Sequence, residues 1–178
     1  MTPVVVIPAK AETQEKSSKK LWMAHLSILS LFLFFSTALS AEKNPLPRFV
    51  SLKSNEINQR VGPGPNYPVE WTYVKARLPV EITAEFDNWR KIRDQEGTEG
   101  WVHQSMLSSK RHGIIQGAET LLYSAEDLNS HPLVRLEPGV LVEILRCRGD
   151  WCQVRIFDFK GWIQRAFLWG IYPQEVIG

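Results

Sequence analysis

Cysteine is scarce in this chain: Cys147 and Cys152 are its only two in 178 residues. A zinc site needs four ligands, and no second Cys or His cluster is available to complete one. Histidine is equally thin. His103, His112 and His131 stand in unlike surroundings, and none has the i, i+4 spacing of helical metal ligands. There is no G-x-S-x-G nucleophile motif. No nucleophile stands beside a base, and no carboxylate pair stands out. The sequence therefore offers no catalytic residue, no metal and no cofactor, and the expectation is a protein that is not an enzyme. Beyond residue 40 no apolar run is long enough to span a bilayer. No amphipathic helical stretch of useful length appears there either, which argues against a helical body.

What is present begins with a leader. Lys19 and Lys20 precede an apolar run over residues 21–39, and Ala38 and Ser40 supply small residues before Ala41. A basic segment, an apolar segment and a small-residue cleavage site define a secretory signal, expected over residues 1–40 with Met23 as a possible late start. The alternative is an uncleaved anchor helix, since about twenty apolar residues can cross a bilayer. Either way the remainder is expected outside the cytoplasm, in the periplasm, with membrane contact only through an uncleaved leader. Four of the 21 basic residues and two of the 19 acidic ones lie in the leader. The chain beyond the leader is thus balanced at 17 of each sign, and nucleic-acid binding loses its electrostatic basis.

The rest of the chain is written twice. Val80-Glu81-Ile82 and Val142-Glu143-Ile144 are each followed seven residues later by a tryptophan, Trp89 and Trp151. A second tryptophan follows a glycine in each copy, as Gly100-Trp101 and Gly161-Trp162, and Met106-Leu107 matches Phe167-Leu168. Such a shared order marks duplicated structural units. Val80, Ile82 and Ala84 alternate with Glu81, Thr83 and Glu85, the period of a strand with one buried face. Asp87-Asn88 gives a turn, Trp89 to Arg93 returns, and Gly97 and Gly100 bracket a hairpin before Trp101. The second copy repeats the scheme from Val140 to Ile163. Many short strands at regular spacing predict a small sandwich or barrel. The recurring tryptophans are expected to pack inside it. Cys147 and Cys152 flank the turn Arg148-Gly149-Asp150, and an exported protein is expected to pair them as a disulfide.

These residues resemble a known family. Asn58-Gln59-Arg60-Val61-Gly62-Pro63 with Tyr67-Pro68-Val69 is similar to the opening of bacterial SH3 domains. Phe86-Asp87-Asn88-Trp89, Gly100-Trp101-Val102-His103, Cys147 to Cys152 and Leu168-Trp169-Gly170-Ile171-Tyr172-Pro173 resemble the variant found in exported alphaproteobacterial proteins. The resemblance implies an all-β fold of two tandem SH3-like small β-barrels without established activity. The expected layout is a linker at 41–47, barrels at 48–109 and 110–174, and a tail at 175–178. Other bacterial SH3 domains, fused to wall hydrolases, bind peptidoglycan or its peptides. Matched on Pro68 and Pro132, the second copy has Ser124, Glu126, Asp127 and His131 where the first has Arg60, Gly62, Pro63 and Tyr67.

Five residues of the first copy are the candidate ligand contacts. Asn58, Arg60 and Tyr67 lie at a loop whose glycines and prolines give it a defined shape. Arg60 offers planar donors to a carboxylate, and Tyr67 a flat face. The bland reading is a loop packed on its own barrel, with Arg60 paired locally. Trp71 and Tyr73 lack aromatic counterparts in the second copy. They are two apart and share a strand face, which can be a ligand face or the core. The expected partner is peptidoglycan or an envelope protein. A structural module joined to another protein through an open strand edge is the alternative.

Overall fold

The computed structural model describes residues 44–178. The leader lies outside the described residues. Those residues form one compact unit, made of strands and two single-turn 3₁₀ helices, Gln104–Met106 and Arg165–Phe167. Among the described residues no helix is long and apolar enough to cross a membrane.

The first sheet holds β1 (Arg48–Leu52), β2 (Ile57–Arg60), β3 (Val69–Tyr73), β4 (Pro79–Phe86), β5 (Trp89–Arg93), β6 (Glu99–His103) and β7 (Leu107–Ser108), in the spatial order β3-β2-β6-β5-β4-β1-β7. The second holds β8 (His112–Ile115), β9 (Thr120–Tyr123), β10 (Pro132–Leu136), β11 (Leu141–Arg148), β12 (Trp151–Ile156), β13 (Phe159–Gln164) and β14 (Leu168–Trp169), in the order β10-β9-β13-β12-β11-β8-β14. Strand for strand the two orders are the same. The expected tandem small β-barrels are therefore what the chain forms.

Backbone pairing fixes how the copies correspond, and it moves the match made on prolines by one residue. Arg60 pairs with Trp101 and Tyr123 with Trp162. Val61 donates to the Pro68 carbonyl and Ser124 to the His131 carbonyl. Tyr123 is thus the counterpart of Arg60, and His131 that of Pro68. The two loops have equal length, and the proline of the second copy simply sits one step later.

Each barrel has an aliphatic core. In the first it is Leu52, Ile57, Val80, Ile82, Ile92 and Val102 with Tyr73. In the second it includes Ile115, Leu122, Leu136, Val142, Ile144, Val154, Ile163 and Leu168, with both cysteines. The recurring tryptophans do not fill these cores. Trp162 is buried, but Trp89, Trp101 and Trp151 are only half-buried. They lie against neighbours on the barrel flanks: Trp89 meets His103 edge-on at 5.5 Å, and Trp151 meets Tyr123 at 5.9 Å. An indole is too large to interleave with valines and isoleucines in a barrel this small, and its N–H needs a polar outlet.

Cys147 and Cys152 face each other across β11 and β12 and form a disulfide. Residues 175–178, read as a tail, are tied to the same strand: Cys147 N–H donates to the Ile177 carbonyl at 2.9 Å, and Ile177 N–H to the Cys147 carbonyl at 3.2 Å.

The barrels meet through specific contacts. Phe49 packs on Trp169 at 5.1 Å and on Tyr172 at 4.8 Å. The Tyr172 hydroxyl donates to Glu81 Oε1 at 2.6 Å, and Glu81 also receives Arg93 Nε at 2.9 Å. His112 Nδ1 lies 3.0 Å from Ser51 Oγ. Glu81 and His112 are buried by this contact and each has its partner, as buried polar groups require.

Candidate ligand-binding site

The β2–β3 hairpin carries all five candidate residues and divides them between two settings. On β2, Ile57 and Gln59 point inward and are buried, which turns Asn58 and Arg60 outward. Asn58 sits opposite Thr72 and accepts its hydroxyl proton at 2.8 Å. Arg60 Nη1 donates to the Tyr67 carbonyl at 2.6 Å and closes the base of the loop. The Tyr67 ring lies flat on the loop itself: a Cβ at Gly62 would come within 2.4 Å of Tyr67 Cδ1. Only glycine fits there. Tyr67 nonetheless keeps 46% of its surface exposed. Arg60 and Tyr67 thus hold the loop in one shape, and the local partner of Arg60 is a backbone carbonyl rather than an acid.

Trp71 and Tyr73 line a cleft of about 280 Å³ together with Lys75, Leu78, Asp94 and Glu96, and Ile114 reaches it from the second barrel. Asn58, Arg60 and Tyr67 do not line it. The shared strand face proves to be half core and half surface. Tyr73 is 6% exposed and packs in the first core, while Trp71, nearer the loop, is 54% exposed. Tyr73 therefore acts as a wall of the cleft and not as a free contact face. Its hydroxyl lies 2.9 Å from Gln59 Oε1 and 3.0 Å from Asp94 Oδ2. Burial, reinforced by the carboxylates of Asp94 and Glu96, pushes the phenol well above its ordinary range. It stays a neutral donor and fixes the position of Asp94.

Asp94 is held from its other side as well. Its Oδ1 accepts the backbone N–H groups of Glu96 at 3.0 Å and Thr98 at 2.9 Å. The cleft is thus lined by a flat apolar indole, a fixed carboxylate and the exposed Lys75. That combination can stack on an apolar group and accept from a polar one. Asp94, Glu96 and Lys75 carry no binding signal of their own in the sequence. The run Asp94 to Gly100 reads as turn chemistry, and only folding brings the turn against β3. Among the described residues no three His, Cys, Asp or Glu side chains are grouped to hold a metal.

A family match agrees with this architecture. The Bacterial SH3 domain family matches twice, over residues 53–109 and 116–170. No curated protein matches. Solved structures similar to this chain include NlpC2 from Trichomonas vaginalis, at 14% identity over 69% of this chain and 48% of that one, with a TM-score of 0.32. NlpC1 from the same organism is 12% identical over 72% of this chain and 47% of its own, also with a TM-score of 0.32. The chain spans about half the length of either. With two successive matches and two barrels of one strand order, the chain belongs to the bacterial SH3 domain family.

Proposed function

We propose that this protein is an exported, non-catalytic binding module of the periplasm that recognises peptidoglycan peptides or an envelope protein through the first barrel. The observation that carries the proposal is Trp71, a half-exposed indole at the mouth of a cleft walled by Tyr73 and bounded by fixed polar groups. Tryptophan is enriched among the residues that anchor recognition, above all where it borders a cleft. The leader supports the export part of the reading. Arg60 and Tyr67 contribute by holding the neighbouring loop in shape.

Co-sedimentation of the purified protein with isolated cell walls tests this. The wild type is expected in the pellet, and Trp71→Ala is expected to lose most of that retention without loss of fold. Equal retention of the variant removes the site, and no retention of the wild type removes the wall as ligand.

A second reading is favoured by the position of β3. It ends its sheet, and Val69, Glu70, Trp71 and Thr72 are all exposed along it. An open edge of this kind can accept a strand from another protein. A co-purifying envelope protein in the absence of wall binding selects this reading.

A further inference from the structure

Away from Trp71, unpaired charge gathers where the barrels meet. A cleft of about 430 Å³ opens there, a volume within the roughly 300–1,000 Å³ of small-molecule sites. Lys53 and Arg77 come to it from the first barrel, and Lys110, His112 and Arg155 from the second. Its one carboxylate, Glu143, is already bonded to Arg155 Nη1 at 3.3 Å. Among the described residues, the side chains of Lys53, Arg77 and Lys110 have no acidic partner. Beyond residue 40 the chain holds equal numbers of acidic and basic residues, so this excess is local. His112 is buried among these groups and tied to Ser51, which anchors both walls to each other.

Two turns with left-handed backbone border the same place. Three described non-glycine residues adopt left-handed φ, and two of them, Arg77 at 68° and Phe157 at 47°, line this cleft. Bulky L-residues rarely enter that region outside turns, and here each sits in a turn that shapes the rim of the cleft. Phe157 is also 88% exposed, so burial does not compensate for its conformation.

We propose that the inter-barrel cleft binds a small anion bearing more than one negative charge, a polycarboxylate or a phosphate, with Lys53, Arg77 and Lys110 as its charge partners. None of these residues belongs to the Trp71 site, so either proposal can fail alone. The site also gives the second barrel a part in binding, since neither barrel supplies the cations by itself.

Calorimetric titration of the purified protein with citrate and, separately, inorganic phosphate is the test. Saturable binding of at least one is expected, and which one binds identifies the source. Affinity is expected to fall at least about tenfold in Lys53→Gln/Lys110→Gln, as it does when closely placed charge partners are removed. It also falls as salt is raised, because Lys53, Arg77 and Lys110 are all exposed to solvent. Arg77→Asn, which keeps a residue tolerant of left-handed φ, serves where the double variant does not fold, and the same weakening is expected. Lys160→Gln removes a charge outside the cleft and is expected to leave affinity within about twofold, as one exposed charge is largely screened. Absence of saturable binding of both anions, or equal affinity in the wild type and the folded cleft variants, overturns the proposal.

Discussion

The two barrels share a strand order but are stabilised differently, and the contrast separates scaffold from site. Corresponding positions make it concrete. Glu85 and Arg90 face each other across β4 and β5 and form an ion pair at 3.0 Å. Cys147 and Cys152 occupy the same cross-strand position on β11 and β12 and are covalently joined. Gln59, buried in the first barrel, corresponds to Leu122, buried in the second, and Tyr73 to Leu136. The first barrel thus carries a hydrogen-bonded polar group, Gln59–Tyr73–Asp94, in and beside its core. The second has a wholly apolar core cluster that includes the disulfide, and its buried polar side chains, His112 and Arg165, lie outside that cluster. Polar groups inside a small barrel contribute little net stability but define side-chain positions closely. The barrel with the polar core is the one whose cleft carries the exposed tryptophan.

Four changes probe this contrast, from the largest effect to the smallest. Leu122→Ala empties the centre of the apolar barrel and is expected to cost about 3 kcal/mol, read from chemical denaturation. A loss near zero would mean that the second core does not hold that barrel. Replacing both cysteines by serine is expected to cost about 2 kcal/mol, since the closed loop is short and loop-closure entropy scales with its length. The same measurement under reducing conditions is expected to bring the wild type down to the variant. Tyr73→Phe deletes the hydroxyl that Gln59 and Asp94 share and is expected to cost about 1–2 kcal/mol. It also removes the bond that holds Asp94 Oδ2 at the cleft, leaving only the backbone bonds to Oδ1, so ligand retention should drop by more than stability alone accounts for. Glu85→Ala removes the acid of the ion pair that stands where the disulfide does, together with its pair to Arg48, and about 1 kcal/mol or less is expected, since the Glu85 side chain is partly open to solvent. A loss there as large as that of the disulfide would erase the distinction between the barrels.

The joint between them predicts a pH effect. Burial holds the His112 imidazole below its ordinary value of 6.5. The folded state therefore accommodates the neutral ring better than the charged one. Its contribution is intact above that ordinary value and is lost progressively as pH falls through it toward the lowered one. Denaturation midpoints measured on both sides of about pH 6.5 should show the wild type losing stability on the acid side. His112→Gln should lose less over the same interval.

Much of this fold was legible in the sequence because its markers are periodic and local. The alternation around Val80 and Val142, the turn at Asp87-Asn88 and the glycine before each second tryptophan depend on neighbours only. They placed β4, β5, β11 and β12 almost at their observed ends. The disulfide followed from two cysteines either side of a turn. What misled was what depends on a third dimension. Matching on Pro68 and Pro132 ignored the ladder, where the loops begin at Arg60 and Tyr123. Trp89 and Trp151 looked like core residues because they recur, yet repeated placement on a barrel flank recurs just as faithfully. At the site, Trp71 and Tyr73 were found together. Their opposite fates came from the hairpin running past the end of the core. Asp94 and Lys75 had no signal of their own, since a turn and a strand end acquire meaning only when they meet.

On the proposed reading, ligand contacts sit on the first barrel's cleft while the second barrel's disulfide end serves as scaffold. Amide chemical-shift mapping of the purified protein with a soluble wall peptide addresses it directly. Shifts are expected to centre on Trp71, Val74, Lys75 and Gln95, leaving Arg148, Gly149 and Asp150 unmoved. Shifts centred on that tip, with Trp71 and its neighbours unchanged, would contradict the account.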